Sequence, residues 1–264
     1  MWRHRPPEHP NLLTFLPSKA GSGCSTVALN VAAALANDLG KRTLLMEGDR
    51  RSGALSILLN VETPGGLPAV IASSGNLTPM EWHQHLETIG KLDLLLANPS
   101  HPGPQPTWAT FYHVLHFIRP QYEYVCVDLP ELINPATSVL ALASRLVFIV
   151  CEPELASLRM VALRRAELEA AGVPPDKICV LANRWEFQRL TKEALEHTAS
   201  TPMYAALPND YLEIEKAALQ SRLVSKESAF GKACDALARR VSGAPQLSPD
   251  GPVATLLRRF RKSS

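Results

Sequence analysis

A run of small residues, Gly21-Ser22-Gly23-Cys24-Ser25-Thr26, stands where an apolar stretch gives way to one rich in alanine and leucine. Two glycines there let the chain bend tightly and turn its N–H groups inward. A helix starting just behind them adds roughly half a positive charge, so the stretch can hold anionic oxygens. Ser25 would then offer its hydroxyl to a magnesium ion. The competing reading is a strand-to-helix turn that binds nothing. Further along, Glu47 and Asp49 close a second apolar run with one glycine between them, and Asp128 closes a third, Tyr124-Val125-Cys126-Val127. Carboxylates at strand ends lie where ligands of open parallel sheets collect, and one of them can meet a metal-bound water there. Without such a sheet, Glu47 and Asp49 make a solvated acidic turn beside Arg50 and Arg51, and Asn183, after the apolar residues 177–182, makes a turn.

These side chains need strands that end together and helices that begin there. The pattern predicts strands near residues 11–16, 43–47, 92–97, 124–128, 146–150, 177–182 and 203–207, with helices between them. Helices are expected at 26–39, 54–60, 67–73, 79–88, 135–143, 155–171, 212–219 and 230–241, with Gly172 and the prolines after it closing the long one. Residues 98–106, with four prolines, read as an extended loop. Trp108, Phe111, Tyr112, Leu115 and Phe117 follow at broadly helical spacing and read as core packing. Each parallel crossover needs a helix, and right-handed connections place helices on both faces of a twisted sheet.

The 264 residues suffice for one full core, so we expect a single α/β domain over 11–241, an extension at 1–10, and a linker and tail at 242–264. With 46% hydrophobic and 20% charged residues, and no uninterrupted apolar stretch long enough for a bilayer, an integral membrane protein is excluded. Residues 1–10 have no apolar segment of the signal-peptide kind, so a cytoplasmic location is expected. The five cysteines form no C-x-x-C pair and read as buried reduced thiols. Cys24, at a helix N-terminus, has a second reading as a reactive thiol of depressed pKa. A net charge of +2 is too small for nucleic-acid binding over the whole surface.

Against the spacing G-x-x-x-x-G-K-[ST], Ser18 replaces the first glycine and Cys24 the lysine. Against K-G-G-x-G-K-[ST]-[ST], Lys19, Gly21, Gly23, Ser25 and Thr26 fall in place. In this, and in the order of Glu47/Asp49, Asp128 and Asn183 behind it, the sequence resembles the deviant Walker A ATPases of the ParA/MinD family. The resemblance covers roughly residues 11–241. It implies a P-loop NTPase-like three-layer fold with a mostly parallel sheet of about seven strands, binding ATP with Mg²⁺. It also implies a nucleotide-sandwich homodimer in which Lys19 reaches the partner's phosphates. By the same resemblance Gly21, Ser22, Gly23, Cys24, Ser25 and Thr26 hold phosphates, and Ser25, Asp128 and Asp49 serve the metal. Asp49 positions water, and Asn183 bonds the adenine edge. Pro208-Asn209-Asp210-Tyr211 looks particularly like the CpaE/TadZ branch, which localises Flp-type pilus assembly machinery, and there Pro208 and Asp210 begin the last nucleotide-side loop.

Cys24 removes the lysine that neutralises the β- and γ-phosphates in most P-loop enzymes, a substitution that fits the CpaE/TadZ branch and points to slow or absent hydrolysis. Three functions follow from the resemblance: a slowly hydrolysing dimeric switch that positions pilus or secretion machinery, a nucleotide-binding scaffold without hydrolysis, and a DNA-partitioning ATPase. The tail adds Val253, Leu256, Leu257 and Phe260 at i, i+3, i+4 and i+7, with Arg258, Arg259, Arg261 and Lys262 among them. Such a segment can lie reversibly on an anionic membrane. A frayed basic terminus, or a helix docked on the protein's own core, are the other readings.

Overall fold

Strand β1 (Leu12–Pro17) is buried along almost all its length and lies between two parallel neighbours, β5 (Tyr124–Asp128) and β6 (Leu146–Cys151). The computed structural model describes residues 9–51, 53–63, 65–186 and 191–246. The other strands are β2 (Thr43–Glu47), β3 (Glu87–Ile89), β4 (Leu92–Leu95), β7 (Ile178–Trp185) and β8 (Met203–Pro208). They form one sheet in the order β3-β4-β2-β5-β1-β6-β7-β8, parallel throughout except for the β3–β4 pair.

Because both faces of the sheet are covered, the strands read as continuous apolar runs, and successive residues serve opposite layers. Leu12, Leu44, Val125, Val147 and Val180 face one layer, with α5 (Trp108–Ile118), α6 (Pro135–Ala143), α7 (Leu155–Ala170) and α8 (Lys192–Ala199). Leu13, Phe15, Leu45, Phe148 and Leu181 face the other, against α1 (Cys24–Ala33), α2 (Ala54–Leu59), α9 (Tyr211–Leu219) and α10 (Ala229–Ser242). The short helices α3 (Gly66–Ala72) and α4 (Pro79–Gln84) complete the first layer near β4. The α5 aromatics belong to this core, as their spacing predicts: Phe111 is fully buried, and Trp108 stacks on Tyr112 at 5.1 Å.

Three details depart from the sequence reading. The sheet has eight strands instead of seven, because the helix expected over 79–88 stops at Gln84 and residues 87–89 pair antiparallel with β4. The first helix starts at Cys24, two residues early, and from Ala34 to Asp38 it widens into a π-helical segment. Strand β7 continues through Asn183 and Arg184 to Trp185, over a bulge at which its ladder to β8 skips from Ala182 to Trp185. Among the described residues no helix is long and apolar enough to cross a membrane. The amphipathic tail from Val253 to Lys262 lies outside the described residues.

Candidate nucleotide site

The loop between β1 and α1 is set from below. Ser18 is fully buried, its N–H donates to Val150 O at 2.9 Å, and its hydroxyl shares a 2.8 Å hydrogen bond with Ser157 of α7. A serine here in place of glycine is therefore a bracing residue. Gly21 and Gly23 have φ of +81° and +82°, the left-handed region that admits glycine most easily. A Cβ on Gly23 would stand 2.4 Å from Asn183 Nδ2. Asn183 is buried behind the loop, where its Nδ2 donates to Ser22 O at 2.9 Å. It thus fixes the height of the cradle. Two atoms of this arrangement, Ser22 Oγ and Asn183 Oδ1, are buried without a hydrogen-bond partner.

At the front of α1, the Ser25 hydroxyl and the Cys24 thiol lie beside the Asp128 carboxylate at the end of β5. Burial pushes Asp128 up to about 6, these two neighbours pull the other way, and Asp49 adds a like charge that raises it again. Cys24 is itself buried, and burial followed by the Asp128 carboxylate raises its thiol well above the ordinary value. That overturns the reactive-thiol reading: desolvation and a neighbouring anion outweigh the helix terminus. All five cysteines are buried and unpaired.

Glu47 and Asp49 part company. Glu47 is buried, accepts from Leu55 N–H at 2.8 Å and Ala97 N–H at 2.7 Å, and is pushed up to about 7, first by burial and then by Asp128 and Asp49. It ties β2 to the start of α2 and to the chain after β4. Asp49 stands on the wall of the cleft, where Oδ1 accepts from Arg51 N–H at 2.9 Å.

The cleft has a volume of about 570 Å³ and is lined by residues 20–26 of the loop, Glu47, Asp49, Asp128, residues 129–131 and the apolar Ala54, Ile57 and Leu58 of α2. Clefts of roughly 300–1,000 Å³ hold small ligands and cofactors. Gly21, Ser22, Gly23, Cys24, Ser25, Thr26, Asp49 and Asp128 therefore converge. Asn183 stands behind the loop, Pro208 ends β8 opposite Trp185, and the Asp210 carboxylate accepts from Phe230 N–H at 3.1 Å at the start of α10. None of these three lines the cleft. Lys19 pairs within its own chain, with Glu152 at 2.9 Å and Glu154 at 2.6 Å. Glu152 and Glu154 do not figure in the sequence reading, although two glutamates flanking a proline behind an apolar run are plain in the sequence.

The residues present fit a phosphate chain with a divalent cation. The glycine cradle, the orphaned Ser22 hydroxyl and a serine hydroxyl beside an aspartate are a donor and acceptor set of that kind, since Mg²⁺ is held by one or two protein oxygens together with phosphates. Among the described residues no cluster of three or more His, Cys, Asp or Glu side chains is built to hold a metal by itself.

No protein-family profile matches the sequence. The chain is 24% identical over 245 residues to the septum site-determining protein MinD of Thermotoga maritima, covering 88% of each. Among solved structures it is similar to a ParA family ATPase from Chlorobium tepidum (TM-score 0.79, 20% identity, 87% of this chain and 98% of that one). It is also similar to MinD of Aquifex aeolicus in a MinC:MinD complex (0.75, 19%, 90% and 98%). MinD of Pyrococcus horikoshii complexed with Mg-ADP is a further likeness (0.68, 19%, 88% and 95%). The chain has the α/β P-loop NTPase fold of these ParA and MinD proteins, and over 88% of its length its sequence is similar to that of a MinD.

Proposed function

We propose that the chain is an ATP·Mg²⁺-binding dimeric switch that hydrolyses slowly and localises or assembles a pilus or secretion machine in the manner of the CpaE/TadZ branch. The observation that carries the nucleotide reading is the meeting of Ser25 and Asp128 in one cleft of nucleotide size, beneath a loop of left-handed glycines. When bound, Mg²⁺ supplies the charge that draws electron density from the phosphates. The protein's part is to cradle phosphate oxygens on the N–H groups of residues 21–26, to hold the cation's shell with Ser25 and Asp128, and to present Asp49 to water at the cleft wall. The dimer reading draws support from large apolar side chains exposed just beyond the carboxyl ends of the strands. Ile57, Leu132, Leu155, Tyr211 and Leu212 follow β2, β5, β6 and β8 and are each more than half exposed. Pilus or secretion assembly proteins are the partners proposed, at the inner face of the membrane or the cell pole.

The buried Cys24 thiol favours the scaffold reading as the second one, since the loop offers no cation of its own to the phosphates. Nothing observed favours DNA partitioning. Isothermal titration with ATP·Mg²⁺ tests the site: binding is expected for the parent, with Ser25→Ala and Asp128→Asn each weakening it by roughly tenfold or more. No binding at millimolar nucleotide would end the reading. Phosphate release no faster than that of an Asp49→Asn variant would leave the scaffold.

A further inference from the structure

The cation that the dimer reading assigns to a partner's phosphates is engaged at home. Lys19 Nζ lies 2.9 Å from Glu152 Oε2 and 2.6 Å from Glu154 Oε1, so leaving the chain means giving up two ion pairs. The two glutamates are not equivalent. The Glu154 side chain is 52% exposed, and water can take over from Lys19 there. The Glu152 side chain is only 12% exposed, and a carboxylate so placed is costly to leave without a partner. Its other oxygen, Oε1, is held by Arg184 Nη1. Arg184 reaches Glu152 because it stands on the β7 bulge with a left-handed φ of 53°, one residue beyond the asparagine that supports the phosphate loop.

We infer that Glu152 is a positioning residue that holds Lys19 inside its own subunit, and that Arg184 sets the strength of the hold. While Arg184 stays bound, Glu152 keeps one cation when Lys19 departs, and the buried carboxylate is never bare. Without Arg184, the whole charge of Glu152 falls on Lys19 and the lysine is held back. The two substitutions therefore act in opposite directions on one event, which no general loosening of the loop would do. Backbone contacts keep the frame in place through either change: Ser157 Oγ accepts from Glu152 N–H at 3.0 Å, and Ser18 is bonded to Val150 and Ser157. The inference rests on the proposed nucleotide-dependent dimer, in which Lys19 acts in trans.

The test measures two quantities on the full chain. One is the ATP concentration at half-dimerisation, from light scattering with Mg²⁺. The other is the acylation rate of Lys19 by an amine-reactive ester in the nucleotide-free protein, resolved by mass spectrometry. Glu152→Gln is expected to lower the half-dimerisation concentration and raise the acylation rate, each by roughly threefold to fivefold, and Arg184→Gln to shift both the opposite way. Arg184→Lys should restore the parent values, and in a Lys19→Ala background neither substitution should move dimerisation. Shifts of the same sign for Glu152→Gln and Arg184→Gln, or equal shifts without Lys19, would overturn the inference. Acylation rates in the expected order, with no dimer at any ATP concentration, would uphold the hold on Lys19 and refute the dimer. A dimer with unchanged acylation rates would do the reverse.

Discussion

At the scale of single residues, the cleft keeps two carboxyls that hold their protons harder in the folded chain than in the unfolded one. Glu47 moves from 4.5 to about 7 and Asp128 from 3.8 to about 6, both chiefly through burial. A raised carboxyl favours the folded state while it is protonated, so this contribution is complete below pH 4 and is lost as the pH climbs through 6 and 7. For Glu47 it is of the order of 3 kcal/mol. Urea unfolding without nucleotide is expected to show stability falling from pH 5 to pH 7.5, and Glu47→Gln should flatten that slope. Glu47→Gln should also lower stability at pH 5 by roughly 1–2 kcal/mol, since an amide nitrogen would face one of the two N–H groups that the carboxyl now accepts from. An unchanged slope would show that Glu47 ionises freely. Glu47 was legible as one of an acidic pair but not as a brace, because its partner Ala97 lies far away in sequence. The place of Asp128 was legible, since an apolar run closed by one aspartate marks both the strand and the end at which the carboxylate stands.

Among elements, the large ones were readable and the small ones were not. Strands buried on both faces announce themselves as apolar runs, and the glycine loop marks where β1 hands over to α1. Strand β3 has only three residues, Glu87, Thr88 and Ile89, too few to display a period of two, and it is a strand only because β4 lies beside it. The π-helical turn at Ala34–Asp38 is equally silent, since alanine and leucine suit either winding. One polar chain anchors this side of the molecule: Trp82 of α4 donates to the Tyr122 hydroxyl at 3.0 Å, and that hydroxyl donates to Asp93 of β4 at 2.9 Å. Trp82 is fully buried. Tyr122→Phe removes the middle of the chain and leaves an indole N–H without an acceptor, so a loss of about 1–3 kcal/mol is expected in denaturant unfolding. Nucleotide affinity should stay at the parent value, because the chain lies away from the cleft. A neutral substitution would mean that water or another group takes over the indole.

For the whole molecule, the proposed dimer makes the rim of the cleft a surface to be covered. Leu132 is 68% and Leu155 57% exposed, so changing either to aspartate should alter the monomer's stability by no more than about 0.5 kcal/mol. The same changes should abolish ATP-dependent dimerisation in sedimentation velocity, and a dimer of parent strength would place the interface elsewhere. The position of β1 at the middle of the sheet has another consequence, felt while the protein is being made. Its ladder partners Val125 and Leu146 are translated about 110 and 130 residues after it. At about 5–20 residues per second, this apolar strand waits on the order of ten seconds for a neighbour. In that interval β1, with the loop that follows it, is a natural target for chaperones, and the future nucleotide site is among the last parts of the chain to take shape.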